Sequence, residues 1–249
     1  MTEPLVLVPG LQSDASSWLP LMERLGLHFP LIVPRGHQFS PSIAEMAETV
    51  ARQSPDRFHL TGWSMGGYIA FEILRRWPER LISLTLIATT AAPETPDSRI
   101  RRREALDRAR RQGLRDYQTV NLKNCLFDPE KYDRERLEAM VQASETLGYE
   151  ALAIQTRAIM ARPDSRSSLA DCACPLTILA GEEDQIISVR HSREMHALVP
   201  NSQLHIIPDC GHCPPIEYPD LVAEKLTARL DAIENNDDAQ LRLVQEAQS

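Results

Sequence analysis

The run Phe58-His59-Leu60-Thr61-Gly62-Trp63-Ser64-Met65-Gly66-Gly67 decides the fold, because it passes from an apolar strand pattern into a helix pattern. Its Gly-x-Ser-x-Gly order predicts that Ser64 lies at the tip of a tight turn between strand and helix, where the flanking glycines leave room for the crossing. Apolar residues then recur at helical spacing from Tyr68 to Trp77, and Pro78 ends the helix. We therefore predict that Ser64 stands exposed above a sheet, at the positive end of a helix dipole.

Short apolar runs on both sides of this turn have the length of buried strands, and helical patterns separate them. This alternation is typical of a parallel sheet built from strand–helix–strand units. The sequence thus predicts a mostly parallel α/β sheet of about six strands. The runs lie at residues 5–8, 31–33, 57–62, 81–88, 175–181 and 203–207.

Composition limits the classes of function. The 249 residues are 43% hydrophobic and 25% charged, which is typical of a soluble globular protein with a single core. The net charge of −8 argues against a nucleic-acid partner. Without an 18-residue apolar stretch or a basic, apolar leader, the sequence predicts neither a membrane span nor a signal peptide. We expect a cytoplasmic protein with reduced cysteines.

Between about residues 91 and 170 the pattern is helical throughout, with room for about four helices. We predict three parts: a first core part at 1–90, a helical lid at 91–170, and a second core part at 171–249 that ends in an acidic C-terminal extension. Among the lid residues, Leu152, Ile159 and Met160 are candidates for the substrate pocket because apolar residues there cover more than one helix face. Simple packing within the lid explains them equally well.

Seven arginines lie between Arg99 and Arg111. Such a run can bind an anion, but Glu104 and Asp107 are interleaved with the arginines. This mixture of charges favours a solvated helix face.

Candidate acids and bases follow the last two predicted strands. Three acids, Glu182, Glu183 and Asp184, come directly after the strand at 175–181, and His212 follows the strand at 203–207. Carboxyl ends of parallel strands meet at one edge, so an acid and a histidine placed there can serve the serine. His37, in a polar loop, is expected instead to be solvated or hydrogen-bonded within its loop.

With this order of serine, acid and histidine, the chain resembles the α/β-hydrolases, and the resemblance covers nearly all of it. It implies a small lidded serine carboxylesterase-like hydrolase, similar to enzymes that trim esters from biosynthetic intermediates. A small-molecule ester would be its substrate, and neither a cofactor nor a metal would be needed. The motifs that carry the resemblance are Pro9-Gly10-Leu11, Gly62-Trp63-Ser64-Met65-Gly66-Gly67, Gly181-x-x-Asp184 and Gly211-His212-x-Pro214-x-x-Glu217-x-Pro219.

The resemblance implies a role for each site residue. Ser64 would be the nucleophile, His212 the base and Asp184 the acid of a Ser-His-Asp triad that works through an acyl-enzyme. The backbone N–H groups of Leu11 and Met65 would form the oxyanion hole. For the segment around Leu11, a plain strand-to-helix turn is the alternative.

The sequence departs from the family pattern in two ways that bear on the fold and the site. Pro9 stands where a histidine is usual before the glycine, which affects the oxyanion loop. The family also commonly has a hairpin before the first strand found here, and we expect it to be absent because that strand begins about four residues from Met1.

Other activities on the same fold stay open at this stage. If another nucleophile replaces water, the same acyl-enzyme makes an acyltransferase, a perhydrolase or a thioesterase. A lyase and a non-catalytic small-molecule receptor are alternatives from other classes. A zinc site at Cys172, Cys174, Cys210 and Cys213 is disfavoured, because the two pairs are expected at opposite ends of the sheet, about 17 Å apart.

Overall fold

Six parallel strands pair in one sheet in the computed structural model, which describes residues 3–26 and 28–247 and, beyond residue 235, the backbone alone. The order across the sheet is β2-β1-β3-β4-β5-β6. The prediction of a mostly parallel sheet of about six strands is confirmed, since all five strand pairs among the described residues are parallel. The strands are β1 (Leu5–Val8), β2 (Leu31–Ile32), β3 (Phe58–Trp63), β4 (Leu81–Ile87), β5 (Leu176–Gly181) and β6 (Gln203–Ile207).

Ten α-helices connect or follow these strands in the described part of the chain. The first three are α1 (Leu19–Leu25), α2 (Ile43–Gln53) and α3 (Met65–Arg76). The next four are α4 (Pro96–Gln112), α5 (Leu114–Cys125), α6 (Arg134–Ala161) and α7 (Arg166–Ala170). The last three are α8 (Val189–Leu198), α9 (Pro214–Glu217) and α10 (Pro219–Ala247).

The core lies on both faces of the sheet, because alternate residues of a strand point to opposite sides. In β1, Val6 and Val8 belong to one apolar cluster, and Leu5 and Leu7 belong to the other. Residues of α2 and α3 complete the first cluster, and residues of α1 and α10 complete the second. Burial on both faces explains why the central strands are apolar along their whole length.

The strand register brings the carboxyl ends of the strands to one edge. Val8 pairs with Gly62, Trp63 with Ile87, and Gly181 with Ile207. The loops that follow β1, β3, β5 and β6 therefore meet there, which is where ligands bind in open parallel sheets.

Residues 91–170, all of which are described, contain helices α4 to α7 and no strand. This agrees with the helix content predicted for the segment. Gly148, with φ of 82°, interrupts the helical backbone of α6. None of the helices among the described residues is both long and apolar enough to cross a membrane.

The acidic C-terminal extension begins within α10. The backbone of this helix continues to Ala247. The side chains beyond residue 235 and the last two residues, 248 and 249, lie outside the described part of the chain.

Candidate active site

Ser64 is the single residue between β3 and α3, since the strand ends at Trp63 and the helix begins at Met65. Its backbone has φ of 53° and ψ of −114°, a conformation that costs a serine about 1–3 kcal/mol. Two hydrogen bonds hold it there: Ser64 N–H donates to Ile87 O at 2.9 Å, and Thr89 Oγ1 donates to Ser64 O at 2.8 Å. The predicted strained turn with the serine at its tip is present.

The glycines of the turn are needed because backbones cross at very short range. A Cβ atom at Gly62 would lie 2.5 Å from Gly66 O, and one at Gly66 would lie 2.0 Å from Val8 O. These distances are well inside van der Waals contact, so any side chain there would displace the backbone. The close crossing lets α3 begin directly above the sheet and beside Ser64.

His212 links Ser64 to Asp184 in one hydrogen-bonded chain. His212 Nε2 lies 2.8 Å from Ser64 Oγ, and His212 Nδ1 lies 2.7 Å from Asp184 Oδ2. Histidine and aspartate are each 5% exposed. With Nδ1 donating its proton to the carboxylate, Nε2 is free to accept the Ser64 hydroxyl proton. This is the order of groups that activates a serine as a nucleophile.

The choice among the three acids after β5 is decided by burial. Glu182 and Glu183 are exposed, whereas Asp184 is buried against His212. Its second oxygen, Oδ1, accepts hydrogen bonds from Ile186 N at 2.8 Å and Ile187 N at 2.9 Å. Both carboxylate oxygens are therefore held, and the carboxylate is fixed in the orientation that contacts the imidazole.

The electrostatic environment of His212 favours its protonated form. Burial alone would lower the pKa of His212, but the charge of Asp184 and its hydrogen bond outweigh burial and raise the pKa above its ordinary value. An imidazole with a raised pKa is a stronger base toward the serine hydroxyl. It also holds its proton more firmly after it has taken it.

Two further hydrogen bonds fix the backbone of the histidine loop. Trp63 Nε1 donates to His212 O at 2.9 Å, and His212 N donates to Cys125 O at 2.6 Å. The first bond joins the loop to β3, and the second joins it to the end of α5. The backbone of His212 is thus held from the sheet and from the helical segment.

Glu217 organises the same loop from inside. Its carboxylate accepts hydrogen bonds from Gly211 N at 3.0 Å, Cys213 N at 3.0 Å and Phe127 N at 2.9 Å. The Gly-His-x-Pro-x-x-Glu motif marked Glu217 in the sequence without indicating this role. A charged group that accepts several backbone bonds holds a loop more strongly than a neutral acceptor does.

Leu11 and Met65, the two predicted oxyanion donors, lie on either side of Ser64. A Cβ atom at Gly10 would be 3.5 Å from Ser64 Cβ, so the Gly10–Leu11 backbone passes directly beside the serine. Met65 is the first residue of α3, and its N–H therefore has no acceptor within the helix. Both residues line the same cavity as Ser64.

A buried amide pair, which the sequence analysis missed, holds the loop after Leu11. Gln12 N donates to Gln155 Oε1 at 2.9 Å, and Gln155 Nε2 donates to Gln12 Oε1 at 3.2 Å. Gln12 Nε2 also donates to Gly148 O at 3.1 Å. Since Gln12 itself has φ of 54°, these bonds stabilise an unusual backbone next to the oxyanion loop. The two glutamines are 143 residues apart, and no local pattern connects them.

A cavity of about 530 Å³ lies over Ser64 and His212. Of the three predicted pocket residues, Ile159 lines it, whereas Leu152 and Met160 are not among the lining residues. Helix geometry explains the difference. Leu152 precedes Ile159 by seven residues and so lies about 10.5 Å from it along the axis of α6. The side chain of Met160 is turned by about 100° around that axis from the side chain of Ile159.

The arginines of α4 divide into two groups. Arg99, Arg103, Arg110 and Arg111 are exposed and do not line the cavity, as expected for a solvated face. The other three arginines of the run, Arg101, Arg102 and Arg108, line the cavity, although Arg101 and Arg108 are exposed to solvent as expected.

His37 is buried, so of its two expected settings, solvated or hydrogen-bonded within its loop, the solvated one is wrong. It follows Gly36, whose φ of 82° turns the chain inward, and its short 3-10 helix packs against α6. Burial lowers the pKa of His37 to about 4, although a hydrogen bond with the backbone of Pro34 opposes the shift. His37 does not line the cavity over Ser64 and has no place in the site.

The cysteines form two separate groups, each with free thiols. Cys172 and Cys174 precede β5, and their Sγ atoms lie 3.6 Å apart. Cys210 and Cys213 lie at the other end of the strand, where Glu183 N donates to Cys210 O at 2.9 Å. Among the side chains described, those of residues 3–26 and 28–235, no cluster of three or more His, Cys, Asp or Glu is placed to hold a metal ion.

Comparisons with known proteins place the chain among esterases. Pimeloyl-[acyl-carrier protein] methyl ester esterase from Yersinia enterocolitica is 27% identical over 235 residues, which cover 88% of this chain and 90% of that protein. The esterase of the same name from Pectobacterium carotovorum is 29% identical over 237 residues, which cover 90% of this chain and 92% of that protein.

Solved structures show the same fold over almost the whole chain. A thermophilic esterase from Thermogutta terrifontis has a TM-score of 0.80 at 26% identity and covers 94% of this chain and 91% of its own. An enol-lactonase from Burkholderia xenovorans has a TM-score of 0.79 at 21% identity and covers 93% of this chain and 92% of its own. At this identity the likeness shows the fold alone. The model of the "Alpha/beta hydrolase family" matches residues 5–225. The chain therefore belongs to the α/β-hydrolase family.

Proposed function

We propose that this chain hydrolyses carboxylic esters, with Ser64 as the nucleophile, His212 as the general base and Asp184 as the acid that orients the histidine. The observation that carries the proposal is the hydrogen-bonded chain from Ser64 Oγ through the imidazole to Asp184 Oδ2, with steps of 2.8 Å and 2.7 Å. The esterases to which the chain is similar add support. Every proton passes between side chains, substrate and water, so the reaction needs no cofactor or metal.

In the first step Ser64 Oγ attacks the ester carbonyl carbon while His212 Nε2 takes the hydroxyl proton. A serine hydroxyl is a weak nucleophile at neutral pH, and the adjacent base removes this limit. Asp184 stabilises the imidazolium that forms and keeps its tautomer. The raised pKa of His212 favours this transfer.

The carbonyl oxygen becomes an oxyanion in the same step. The N–H groups of Leu11 and Met65 would donate to it, since both residues line the cavity beside Ser64. Met65 adds the positive end of the α3 dipole. Loss of one such donor costs about 10²- to 10³-fold in kcat in serine hydrolases.

Collapse of the tetrahedral intermediate breaks the carbon–oxygen bond to the alcohol, and His212 gives its proton to the leaving alkoxide. The acyl group remains on Ser64 Oγ. A water molecule then attacks the acyl carbon as His212 takes one of its protons, and the second collapse returns that proton to Ser64 and releases the acid.

Residues 91–170 would act as a lid between the two core parts, 1–90 and 171–249. Helices α4, α5 and α6 each supply residues that line the cavity over Ser64. A lid of this kind closes over the bound substrate, keeps bulk water from the reacting groups and limits substrate size. The predicted cytoplasmic location is part of the same proposal.

The names of the relatives narrow the candidate esters. Those proteins are named for a methyl ester on a pimeloyl group carried by a protein. We therefore place methyl esters of medium-length acyl chains first among the esters to be assayed. A small alcohol would leave the cavity volume to the acyl chain.

Replacement of the nucleophile tests the proposal. Ser64→Ala should reduce hydrolysis of short p-nitrophenyl esters by about 10⁴- to 10⁶-fold. Ser167→Ala, at an exposed serine on α7, is the matched control and should keep the parental rate. A folded Ser64→Ala protein that retains more than a tenth of the parental activity would exclude Ser64 as the nucleophile.

Product analysis separates hydrolysis from its alternatives. The parent protein is given an activated ester, the corresponding thioester, and the ester with an added alcohol or with hydrogen peroxide. Free acid as the main product supports ester hydrolysis. A transferred acyl group, a peracid or a faster reaction of the thioester would instead assign acyl transfer, perhydrolysis or thioester cleavage, and the absence of any acyl chemistry would leave a lyase or a receptor.

A further inference from the structure

The cavity over Ser64 is basic on one side, although the whole chain carries a net charge of −8. Four arginines line it, and Glu94 is the only Asp or Glu among the described lining residues. The lining arginines and glutamate therefore carry a net charge of about +3. The arginines are Arg101, Arg102, Arg108 and Arg162.

The charge of Glu94 is already shared between two of these arginines. Arg162 Nη1 lies 2.5 Å from Glu94 Oε1, and Arg102 Nη2 lies 2.9 Å from the same oxygen. Arg162 also stacks on Tyr68, with its guanidinium carbon 4.0 Å from the ring centroid. Burial alone would raise the pKa of Glu94, but the arginines lower it to about 2. The glutamate is therefore ionised at neutral pH, and its charge is paired with Arg102 and Arg162.

Arg101 and Arg108 have no counterion among the described residues. Neither forms a salt bridge or a hydrogen bond with any residue that the structure describes. They are seven residues apart on α4, so they lie on one face of the helix, about 10.5 Å apart along its axis. Ser98 and Ala105, on the same face, also line the cavity.

We propose that Arg101 and Arg108 bind an anionic group, a carboxylate or a phosphate, at the far end of the ester whose carbonyl lies at Ser64. This inference rests on the proposed function and names its substrate class. A guanidinium presents a planar pair of donors that matches a carboxylate or phosphate.

Polar groups of α5 complete the same wall. Tyr117 and Asn121 line the cavity and can donate hydrogen bonds to further oxygens of the anion. Arg108 lies close enough to Tyr117 for its charge to act on the pKa of the phenol. The candidate anion site is thus formed by two helices of the segment 91–170, and the reacting groups come from the ends of the strands.

Binding to a protein that cannot turn over tests the proposal. In a Ser64→Ala background, calorimetry compares three ligands of equal chain length: a monomethyl ester ending in a carboxylate, one ending in a phosphate, and the neutral dimethyl ester. The Arg101→Gln/Arg108→Gln double variant is compared with Arg103→Gln/Arg110→Gln. This control removes the same charge from α4 at positions that do not line the cavity.

We expect the parent to bind at least one anionic ligand more tightly than the neutral ester. The ratio of anionic to neutral affinity should fall about tenfold or more in Arg101→Gln/Arg108→Gln, as two charge-assisted contacts are lost, and by less than twofold in the control. Whichever ligand, carboxylate or phosphate, shows the larger fall in this ratio is the anion that the two arginines recognise. No anionic preference in the parent, an unchanged ratio in the double variant, or an equal fall in the control would overturn the proposal.

Turnover by the Ser64-containing protein separates this proposal from the proposed function. Anionic preference in binding without cleavage of any ester would refute hydrolysis and support the anion site. Cleavage of neutral and anionic esters with equal kcat/KM, and an unchanged ratio in Arg101→Gln/Arg108→Gln, would refute the anion site and support hydrolysis.

Discussion

The loops after the strands, which carry Ser64, Asp184 and His212, form one wall of the cavity, the strand-end wall. The segment 91–170 forms another, the helical wall, and the two walls hold their functional groups differently. Asp184 and His212 are each 5% exposed. Hydrogen bonds hold both carboxylate oxygens of Asp184, and they hold both the ring and the backbone of His212. Arg101 and Arg108, on α4, are exposed and have no counterion among the described residues. The difference indicates that the loops of the sheet preorganise the reacting groups. Arg101 and Arg108, by contrast, would be paired only when an anionic substrate binds.

The largest loss of kcat is expected from a substitution in the strand-end wall. Asp184→Asn should reduce kcat by about 10⁴-fold, because the amide stabilises the wrong imidazole tautomer, with little change in KM. Glu183→Gln, at the exposed neighbouring acid, is the control and should change kcat less than twofold. Steady-state kinetics on one p-nitrophenyl ester measures both. A large loss in Glu183→Gln together with a near-normal Asp184→Asn would move the orienting acid by one residue.

A smaller effect is expected where the two walls meet, at the Gln12–Gln155 pair. Gln155→Leu leaves Gln12 N–H without its acceptor and should lower kcat about 10²-fold, because the oxyanion loop shifts. Gln155→Glu keeps the acceptor oxygen and should recover most of kcat. Gln142→Ala, on the exposed face of α6, is the control. Equal kcat in all three folded variants would show that the pair does not position the loop.

The pH profile tests the strand-end wall without a mutation. Ester cleavage needs neutral His212, so log kcat/KM should fall by about one for each pH unit below the pKa of His212. Since Asp184 raises that pKa, activity should be lost at a higher pH than an ordinary histidine, about 6.5, would give. Asp184→Asn should move this limb to lower pH. An apparent pKa below about 6 for the fall of kcat/KM in the parent would contradict the assignment of His212 as the base. An apparent pKa that is the same in Asp184→Asn as in the parent would contradict the role of Asp184.

The smallest effect is expected on the helical wall. Ile159→Ala enlarges the cavity and should shift the preferred acyl chain toward longer esters, changing relative kcat/KM by a few fold per methylene. Met160→Ala removes a similar volume from the next residue, which does not line the cavity, and should keep the parental profile. Rates on p-nitrophenyl esters of increasing length measure this. Identical profiles in both variants would remove Ile159 from the pocket.

The two walls also differ in how much the sequence predicts. The strands are short apolar runs, so local pattern was enough for the six-stranded parallel sheet. The positions of Ser64 and His212 relative to the strands followed from their motifs. The choice of Asp184 over Glu182 and Glu183 rested on the spacing from Gly181, and burial of its side chain against His212 supports it.

The helical wall was predicted less well, because the rotation of each helix depends on tertiary packing. Helix α4 has a single fully buried residue, Ala109, and therefore no apolar stripe that would indicate which arginines face the cavity. The Gln12–Gln155 pair joins residues that are 143 positions apart. The burial of His37 was missed for the same reason, since α6, which packs against its loop, lies far along the chain.

Covalent labelling tests the central claim, that Ser64 is the group which attacks an ester, most directly. A fluorophosphonate is incubated with the parent, and the protein is digested and examined by mass spectrometry. The account predicts one adduct, on Ser64, and no adduct in Ser64→Ala. An adduct on any other residue of the parent, or undiminished labelling of Ser64→Ala, would contradict it.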